Sequence, residues 1–598
     1  MRKILTPVLV FVATACASTS TSKPSPGAGE AAGPALRPAA GRAAHRRGPV
    51  IVGTANIPET WTLRARAVDA PHAMVVSAHP LASQAGVEIL KQGGNAIDAA
   101  VAVGFALEVV LPDAGNIGGG GFIVQRTANG TVSALDYRET APQAASRDMY
   151  LDSAGNVTDK SIVGHLAAGV PGSVAGMYAA WKRYGSLPWA TVIAPAIRLA
   201  QGHVLDTARS RDIAADRELL ARFPASRAQF LVHDSAPPPG TLWKQPDLAR
   251  TLQLISDSGP DVFYRGRIAD LIVAEMKRGG GLITKDDLKR YQPKWRTPVE
   301  LTYRGYTIYS MPPPSSGGVT MGEMLNMLEG YDTLPAFGTA PYVHLLTEVM
   351  RRAFIDRNRF LGDPDFVDMP LERLLSKSYA ASLRSQIDPQ RATPTPPQST
   401  GGGEPLETTH YSVVDAKGNA VSVTTTLNGG FGSGVTVTGA GFLLNNEMDD
   451  FTSAPGKPNM YGLIQGVANA IAPGKRMLSA MTPSIVTDSA GQVQLVVGSP
   501  GGPTIITTVA QVILNVLDQH MSLADAIAAP RVHHQALPDQ TYYERGGLSD
   551  ATVRALAAMG HKLEQRRGHS GFVAGIERTA GGWVGVADPR IAGGAIGY

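Results

Sequence analysis

The chain has 598 residues, which is long enough to bury one or two large hydrophobic cores. Its composition of 43% hydrophobic and 17% charged residues, with 66 glycines and 43 prolines, indicates a globular protein rich in turns and excludes a coiled coil or a fibre. The net charge of +4 is small for this length, and no basic run is interleaved with aromatic residues. We therefore expect no nucleic-acid partner.

The first residues have the pattern of a signal peptide. Arg2 and Lys3 precede the apolar run "ILTPVLVFVATA", which is too short to span a bilayer but typical of a signal-peptide core. We predict that residues 1–15 are a signal peptide and that the protein is exported, either to a periplasm or out of the cell. Cys16 is the only cysteine, so no internal disulfide is possible. Cys16 is either the acceptor of a lipid anchor or a spare cysteine near the start of an ordinary exported protein.

Two segments have the composition of linkers. Residues 16–50 are mostly Ser, Pro, Gly and Ala, and they contain too few large apolar side chains to fold, so we predict a disordered tether. Residues 391–407, "RATPTPPQSTGGGEPLE", form a second linker by the same criterion.

Between and after these linkers, helices and strands alternate in blocks. The stretch "PLASQAGVEILKQGGNAIDAAVAVGFALEVVLP" predicts two helices joined at residues 93–95, the first amphipathic and the second buried. Helical patterns fill much of residues 184–390, notably "YVHLLTEVMRRAFIDRNRFLG". Past residue 407, strand patterns dominate until the buried helix "TIITTVAQVILNVLDQ". This order predicts an α+β fold built in layers.

Four consecutive glycines, Gly118 to Gly121, lead into the predicted strand "FIVQ". A phosphate-binding loop is disfavoured, because the segment lacks the Lys and Ser/Thr of a Walker loop and the strand-before, helix-after context of a dinucleotide fingerprint. Close backbone packing is the favoured reason for the glycines.

A β-hairpin is predicted directly after the second linker. The segments "THYSVVD" and "AVSVTTT" flank the turn "AKG", in which Gly418 takes the left-handed position. This turn pairs Asp415 with Asn419, and counting outward pairs Thr408 with Thr426. Residues directly opposite have Cβ atoms ~5 Å apart, so the two hydroxyls are expected within hydrogen-bonding reach unless a bulge shifts the register.

Thr408 is placed to become the first residue of a second chain. A threonine hydroxyl is a weak nucleophile, but an N-terminal threonine carries its own base, an α-amine with a pKa near ~7.7 to 8. Attack of the Thr408 hydroxyl on the carbonyl of Glu407 would convert the peptide into an ester, which water hydrolyses. We predict cleavage there, into a large subunit 51–407 and a small subunit 408–598. The alternative is an ordinary hairpin after a surface linker.

Eight short motifs follow one another along the chain: "HPLASQAGVEIL", "GGNAIDAAVA", "IGGGGF", "PPPSSGGV", "TTHYSVVD", "LLNNEMDDF", "PNMYGL" and "GSPGG". With these motifs in family order, the chain from about Met74 to Tyr598 resembles the γ-glutamyltranspeptidase family of N-terminal nucleophile hydrolases. The resemblance implies a four-layer αββα sandwich and a heterodimer of the chain's own two parts. It also implies cleavage of γ-glutamyl amides such as glutathione, with transfer to water or to amino-acid or peptide acceptors, and no cofactor.

The resemblance implies four catalytic residues. Thr408 is the expected nucleophile, and Thr426 is the hydroxyl that orients it. Gly501 and Gly502 in "GSPGGPTII" are the expected oxyanion-hole pair, since backbone N–H groups near a helix start are fixed donors for an anionic intermediate.

The resemblance also implies a binding site for the donor's α-carboxylate and α-amine. Arg138 of "DYRET" and Ser479 are expected at the carboxylate, because the planar fork of an arginine grips a carboxylate with two hydrogen bonds. Asn428, Glu447 and Asp450 are expected at the amine.

Ala480 departs from the family pattern, which usually has a second serine there, so one side-chain donor for the carboxylate is lost. Tyr461 is expected at the tip of a lid loop, "SAPGKPNMYGL". His533 and His534 raise the question of a metal, but adjacent strand residues point apart and no third ligand stands out, so we predict no metal site. Two rival functions remain: a glutaryl-cephalosporin acylase of the same fold, and a catalytically dead exported binding protein.

Overall fold

The computed structural model describes residues 56–395, 408–454 and 456–598. The predicted signal peptide, the tether with Cys16, and linker residues 396–407 lie outside the described residues. Within them, no helix is both long and apolar enough to cross a membrane.

Two seven-stranded sheets form the centre of the fold, and we call them sheet I and sheet II. Sheet I has the strand order β1-β18-β17-β13-β12-β9-β8, and sheet II has the order β19-β2-β10-β11-β3-β4-β7. The strands are β1 (Ala67–Ala70), β2 (Met74–Ser77), β3 (Gly120–Arg126), β4 (Val132–Asp136), β5 (His203–Val204), β6 (Leu242–Trp243), β7 (Lys294–Arg296), β8 (Val299–Tyr303), β9 (Tyr306–Ser310), β10 (Thr409–Val414), β11 (Ala420–Thr426), β12 (Ser484–Thr487), β13 (Val493–Val497), β14 (Val532–His533), β15 (Thr541–Tyr543), β16 (Leu563–Gln565), β17 (Ala574–Thr579), β18 (Gly582–Ala587) and β19 (Gly594–Gly597).

Helices cover the outer faces of the two sheets and fill the connections. They are α1 (Pro80–Lys91), α2 (Ala96–Val110), α3 (Ser173–Tyr184), α4 (Trp189–Gln201), α5 (Thr207–Ala215), α6 (Arg217–Ala221), α7 (Pro224–Phe230), α8 (Pro246–Ser258), α9 (Asp261–Tyr264), α10 (Arg267–Gly279), α11 (Lys285–Arg290), α12 (Gly317–Glu329), α13 (Ala340–Phe360), α14 (Leu371–Leu374), α15 (Lys377–Arg384), α16 (Thr504–Leu517), α17 (Leu523–Ala528) and α18 (Asp550–Ala558).

The first two helices agree with the prediction from their sequence. Asn95 caps α2, because its side chain accepts hydrogen bonds from the N–H groups of Ile97 and Asp98, and the Asp98 side chain accepts from the N–H of Asn95 in return. Every residue of α2 is buried, which explains its nearly continuous apolar sequence.

Alternation along the strands of sheet II creates two cores. Val75 packs with α1 and α2 in one core, whereas its neighbour Val76 faces the other core, which contains Ile485 of sheet I together with residues of α12 and α16. The layer order is therefore helices, sheet II, sheet I, helices. This is the αββα sandwich that the family resemblance implied.

Each sheet combines strands that precede Thr408 in the chain with strands that follow it. In sheet II, β10 and β11 lie between β2 and β3, and β19 pairs with β2 at the edge. In sheet I, β9 pairs with β12, and β1 pairs with β18. The segments before and after Thr408 thus share both sheets.

The four glycines that lead into and begin β3, Gly118 to Gly121, are explained by close packing, as predicted. A Cβ atom on Gly118 would lie 1.9 Å from the carbonyl oxygen of Leu443, and one on Gly119 would lie 2.1 Å from that of Thr426. No side chain fits there without moving backbone, so glycine is required where β3 passes the end of β11.

Candidate active site

The hairpin β10–β11 has the predicted register. Thr409 pairs with Thr425 without any register shift along the hairpin, and Gly418 in the turn has φ of 86°. Continuing this register places Thr408 opposite Thr426, and their Oγ1 atoms lie 3.2 Å apart. Thr408 is 8% exposed, so its hydroxyl is largely shielded from water.

Thr426 is fixed by two neighbours. Its Oγ1 accepts a hydrogen bond from the N–H of Asn428 at 2.8 Å, and its carbonyl accepts from Asn116 Nδ2 at 2.7 Å. A hydroxyl that is held in this way can orient the hydroxyl of Thr408. Asn116 was missed from the sequence, because a polar residue in a glycine-rich turn gives no signal for this contact.

Gly501 and Gly502 form the turn before α16. Both have positive φ, 132° and 54°, and Thr504 Oγ1 donates to the Gly501 carbonyl at 2.7 Å. Gly502 lines the same pocket as Thr408, while Gly501 precedes it and is not a lining residue. The helix begins at Thr504, so the glycine pair stands just ahead of the helix start.

One pocket brings most of the predicted site residues together. Arg138, Thr408, Thr426, Asn428, Glu447, Asp450, Tyr461, Ser479, Ala480 and Gly502 all line it, together with Arg357, Leu463, Leu478, Met481, Pro503 and Ile505.

Arg138 is the centre of a buried ion-pair cluster in this pocket. Its Nη1 contacts Glu447 Oε1 and its Nη2 contacts Asp450 Oδ2, while its Nε donates to the Met477 carbonyl at 3.4 Å. Glu139 Oε2 lies 3.8 Å from Nη1. The predicted carboxylate-binding arginine is thus paired with two of the predicted amine-binding acids.

Burial shifts the titration of the acids in this cluster. It raises the pKa of Glu447 and of Asp450, and the positive charge of Arg138 opposes the shift in both cases. It raises the pKa of Glu139 to about 7 against the same opposition. Burial alone would lower the pKa of Arg138. The three acids raise it by more than burial lowers it, so the guanidinium stays charged.

Ser479 and Ala480 line the pocket on a segment that is tied to the start of α12. The Ser479 carbonyl accepts from the N–H of Ser316 at 2.8 Å and from its Oγ at 2.6 Å. The Ser479 hydroxyl accepts from the N–H of Met481 at 3.1 Å. Ala480 is 9% exposed, toward the pocket it lines, where its methyl group stands in place of a second hydroxyl.

Tyr461 lies in the tight turn of a short hairpin. The N–H of Gly462 bonds the Asn459 carbonyl at 2.9 Å and closes the turn. The Tyr461 hydroxyl lies 2.7 Å from the carbonyl oxygen of Asn428 and 2.8 Å from its Oδ1. Asn428 has φ of 80°, a conformation that costs free energy for a residue other than glycine, so this contact holds it in place.

The histidines considered as metal ligands have protein partners. His533 Nδ1 is 2.9 Å from Thr507 Oγ1, and His534 Nε2 is 3.4 Å from Asp539. A different group, His344, Glu348 and His561, brings potential ligand atoms within 4.8 Å of one another among the described residues.

We assign no metal to this second group. Glu348 already accepts from Arg352 Nη1 at 2.6 Å, and His344 Nε2 lies 2.8 Å from the Asp388 carbonyl. The charge of Arg352 beside the carboxylate would repel a further cation.

Comparisons with known proteins identify the family of the chain. The family model for gamma-glutamyltranspeptidase matches residues 82–598. A glutathione hydrolase proenzyme of Escherichia coli (strain K12) is 46% identical over 530 residues, which cover 88% of this chain and 91% of the relative. A cephalosporin acylase from Bacillus halodurans is 30% identical with a TM-score of 0.80, covering 90% of this chain and 98% of that one.

A gamma-glutamyltranspeptidase structure from Helicobacter pylori is 45% identical with a TM-score of 0.53, and it covers 56% of this chain and 95% of that one. The fold is that of the N-terminal nucleophile hydrolases, an α+β sandwich of helices and two sheets. The chain therefore belongs to the gamma-glutamyltranspeptidase family.

Proposed function

We propose that the protein is a γ-glutamyltransferase and glutathione hydrolase that works through Thr408. The observation that carries this proposal is the pair of hydroxyls of Thr408 and Thr426, 3.2 Å apart, in a pocket that also holds a buried arginine and the two acids paired with it. This pocket holds both signs of charge side by side, a guanidinium for the α-carboxylate and carboxylates for the α-amine of a γ-glutamyl group. The relative from Escherichia coli is named for this activity.

Maturation is the first step that we propose. The Thr408 hydroxyl oxygen attacks the carbonyl carbon of Glu407, the C–N bond breaks, and the nitrogen becomes the free α-amine of Thr408. Water then hydrolyses the resulting ester, which restores the hydroxyl and leaves a carboxylate on Glu407. The Helicobacter pylori chain matches over 95% of its own length but only 56% of this chain, which fits a protein made of two chains.

Binding of the donor is then an exchange of ion pairs. Arg138 is neutralised by Glu447 and Asp450. The ammonium of a γ-glutamyl group replaces Arg138 as the partner of these two acids, and the Asn428 side chain also contacts it. The carboxylate of the γ-glutamyl group then binds the released guanidinium of Arg138 beside Ser479. The exchange keeps the charges of Arg138, Glu447 and Asp450 paired, so the cost of desolvating them is offset.

Turnover uses the new α-amine as the base. The amine takes the proton of the Thr408 hydroxyl, whose oxygen attacks the γ-carbonyl carbon of the donor. The N–H groups of Gly501 and Gly502 stabilise the oxyanion, and the leaving amine receives the proton. The γ-glutamyl ester on Thr408 is finally attacked by water or by the amine of an acceptor, which regenerates the hydroxyl.

The experiment that tests this function combines mass spectrometry with an assay. We expect purified protein to contain two chains, the smaller one starting at Thr408, and to release p-nitroaniline from γ-glutamyl-p-nitroanilide. A single uncut chain without activity would support the dead binding protein. Two chains that prefer glutaryl-cephalosporin substrates would support the acylase.

Ala480→Ser is expected to tighten donor binding. The substitution restores a hydroxyl beside the donor's carboxylate, and one hydrogen bond of this kind should lower KM for γ-glutamyl-p-nitroanilide by about 2- to 10-fold with little change in kcat. Ser479→Ala is the matched comparison and should raise KM. A KM that stays the same or rises in Ala480→Ser would show that other groups already fill this role.

Tyr461→Phe is expected to lower kcat/KM by about 2- to 10-fold, because the strained backbone of Asn428 loses the hydroxyl that contacts it. Tyr150→Phe is the control, since its hydroxyl bonds the Leu166 carbonyl at 2.8 Å and its ring lies outside the pocket. It should leave kcat/KM unchanged. Equal activity of Tyr461→Phe and the wild type would refute a positioning role for this hydroxyl.

We also propose that residues 1–15 direct export to a periplasm or out of the cell. Support comes from the charged start and the short apolar run before Cys16. Mass spectrometry of the mature large chain distinguishes the two states of Cys16, because a lipid anchor adds the mass of its acyl chains and Cys16→Ser abolishes that addition.

A further inference from the structure

Arg357 is a buried cation in the wall of the active-site pocket. It lies near the end of α13, it is 1% exposed, and it lines the pocket together with Thr408 and Asp450. No carboxylate of the described residues forms an ion pair with its guanidinium, although the charge of Asp450 acts on it from a greater distance.

Comparably buried arginines elsewhere in the chain are neutralised. Arg531 Nη2 lies 2.6 Å from Asp588 Oδ2, and Arg590 Nη2 lies 2.7 Å from Glu544 Oε2. Burial of an unpaired charge is costly, so buried arginines are normally paired in this way. Arg357 departs from that pattern at the one place where a charged ligand is expected.

The partners of Arg357 are neutral. Its Nε donates to Ser316 Oγ at 2.9 Å, and its Nη1 donates to Asn358 Oδ1 at 2.9 Å and to Gln465 Oε1 at 3.3 Å. Its Nη2 has no hydrogen-bond partner among the described residues. Burial lowers the pKa of Arg357 to about 10, with Asp450 opposing the shift, so the group remains charged at neutral pH.

The Ser316 contact places this guanidinium beside the segment that faces the donor. Ser316 holds the carbonyl of Ser479, and Ala480 follows directly. Arg357 therefore flanks the position at which a serine hydroxyl is missing.

We propose that Arg357 is a second carboxylate-binding residue, which donates from Nη2 to the α-carboxylate of the γ-glutamyl donor next to Arg138. This inference rests on the proposed function. The donor's carboxylate neutralises a guanidinium charge that no carboxylate of the described residues pairs. The carboxylate also accepts a hydrogen bond from Arg357 in the region where the Ala480 side chain has no hydrogen-bond donor.

The test uses three competitive inhibitors of γ-glutamyl-p-nitroanilide hydrolysis. L-Glutamine carries both charged groups, glutaramate carries the carboxylate alone, and 4-aminobutanamide carries the ammonium alone. Inhibition constants are measured for the wild type and for Arg357→Gln and Arg357→Lys. Arg590→Lys, a buried arginine outside the pocket, is the matched control.

We expect Arg357→Gln to raise the inhibition constants of L-glutamine and glutaramate by about 10-fold or more and to leave that of 4-aminobutanamide unchanged. Arg357→Lys keeps the positive charge but loses the planar guanidinium. It should therefore raise the same two inhibition constants, by a smaller factor. Arg590→Lys should change the inhibition constants of all three inhibitors by the same factor.

Two patterns would overturn the inference. Equal losses for all three inhibitors mean a structural role, and losses confined to L-glutamine and 4-aminobutanamide mean that Arg357 acts on the ammonium through Asp450. If Arg357→Gln does not fold, the result for Arg357→Lys is used instead. Unchanged inhibition constants in Arg357→Lys would also overturn the inference. Failure of the wild type to hydrolyse γ-glutamyl-p-nitroanilide is a separate result, which refutes the proposed function itself.

Discussion

Thr408→Ala is expected to yield one uncut chain with no γ-glutamyl hydrolase activity. The substitution removes the oxygen that attacks Glu407 and, in the same step, the oxygen that would carry the γ-glutamyl ester. Thr408→Ser keeps an oxygen at the same position and should retain part of both functions. Gel electrophoresis should show wild type as fragments of about 390 and about 190 residues and Thr408→Ala as a single band.

Thr409→Ala is the matched control for this result. Thr409 is the next threonine along the chain, it is fully buried, and its hydroxyl has no hydrogen-bond partner among the described residues. Its loss should therefore leave both cleavage and activity in place. Fragments of the same two sizes from Thr408→Ala, in protein whose thermal melting shows it to be folded, would mean that another group or another protein makes the cut.

The second large effect concerns selection of γ-glutamyl over glutaryl substrates. A glutaryl group has the carboxylate but not the ammonium, so it must compete with Glu447 and Asp450 for Arg138 and offers these acids nothing in return. Sites built to bond a substrate group can reject analogues without it by ~10⁴-fold. We expect kcat/KM of the wild type for γ-glutamyl-p-nitroanilide to exceed that for the glutaryl anilide by at least about 10³-fold.

Asp450→Asn should narrow this preference from both sides. It removes a charge that holds the ammonium, so γ-glutamyl turnover falls, and it removes a competitor for Arg138, so glutaryl turnover rises. Asp449→Asn is the control, because Asp449 is buried beside it but bonds Ser161 and the N–H of Met460 outside the pocket. Asp449→Asn should change kcat/KM for both substrates by the same factor. Glutaryl turnover by the wild type that equals or exceeds γ-glutamyl turnover would favour the acylase.

The hairpin could be predicted from sequence alone because its geometry is local. A three-residue turn with Gly418 fixes the register, and counting outward places Thr408 against Thr426 with no information from the rest of the chain. The glycines before β3 were also interpretable, since four in a row leave few reasons other than close packing.

The binding half of the pocket could not be derived in this way. Arg138 and Glu447 are 309 positions apart, and no local rule brings them together. Their proposed roles came from the family resemblance. Arg357 was missed because an arginine near the end of a helix normally extends into solvent, and only the packing of α13 against the segment that contains Ser316 turns it into the pocket.

The sharing of both sheets by the segments before and after Thr408 bears on what a single cut can do to the protein. Breaking one peptide bond leaves every ladder hydrogen bond in place, so separating the two pieces would require unzipping β10 and β11 from their neighbours and opening both cores at once. The pieces should thus behave as partners that are bound for the lifetime of the molecule, without exchange between molecules. Their route to assembly lies in the uncut chain, in which the covalent connection keeps the two halves at high effective concentration while the sheets form.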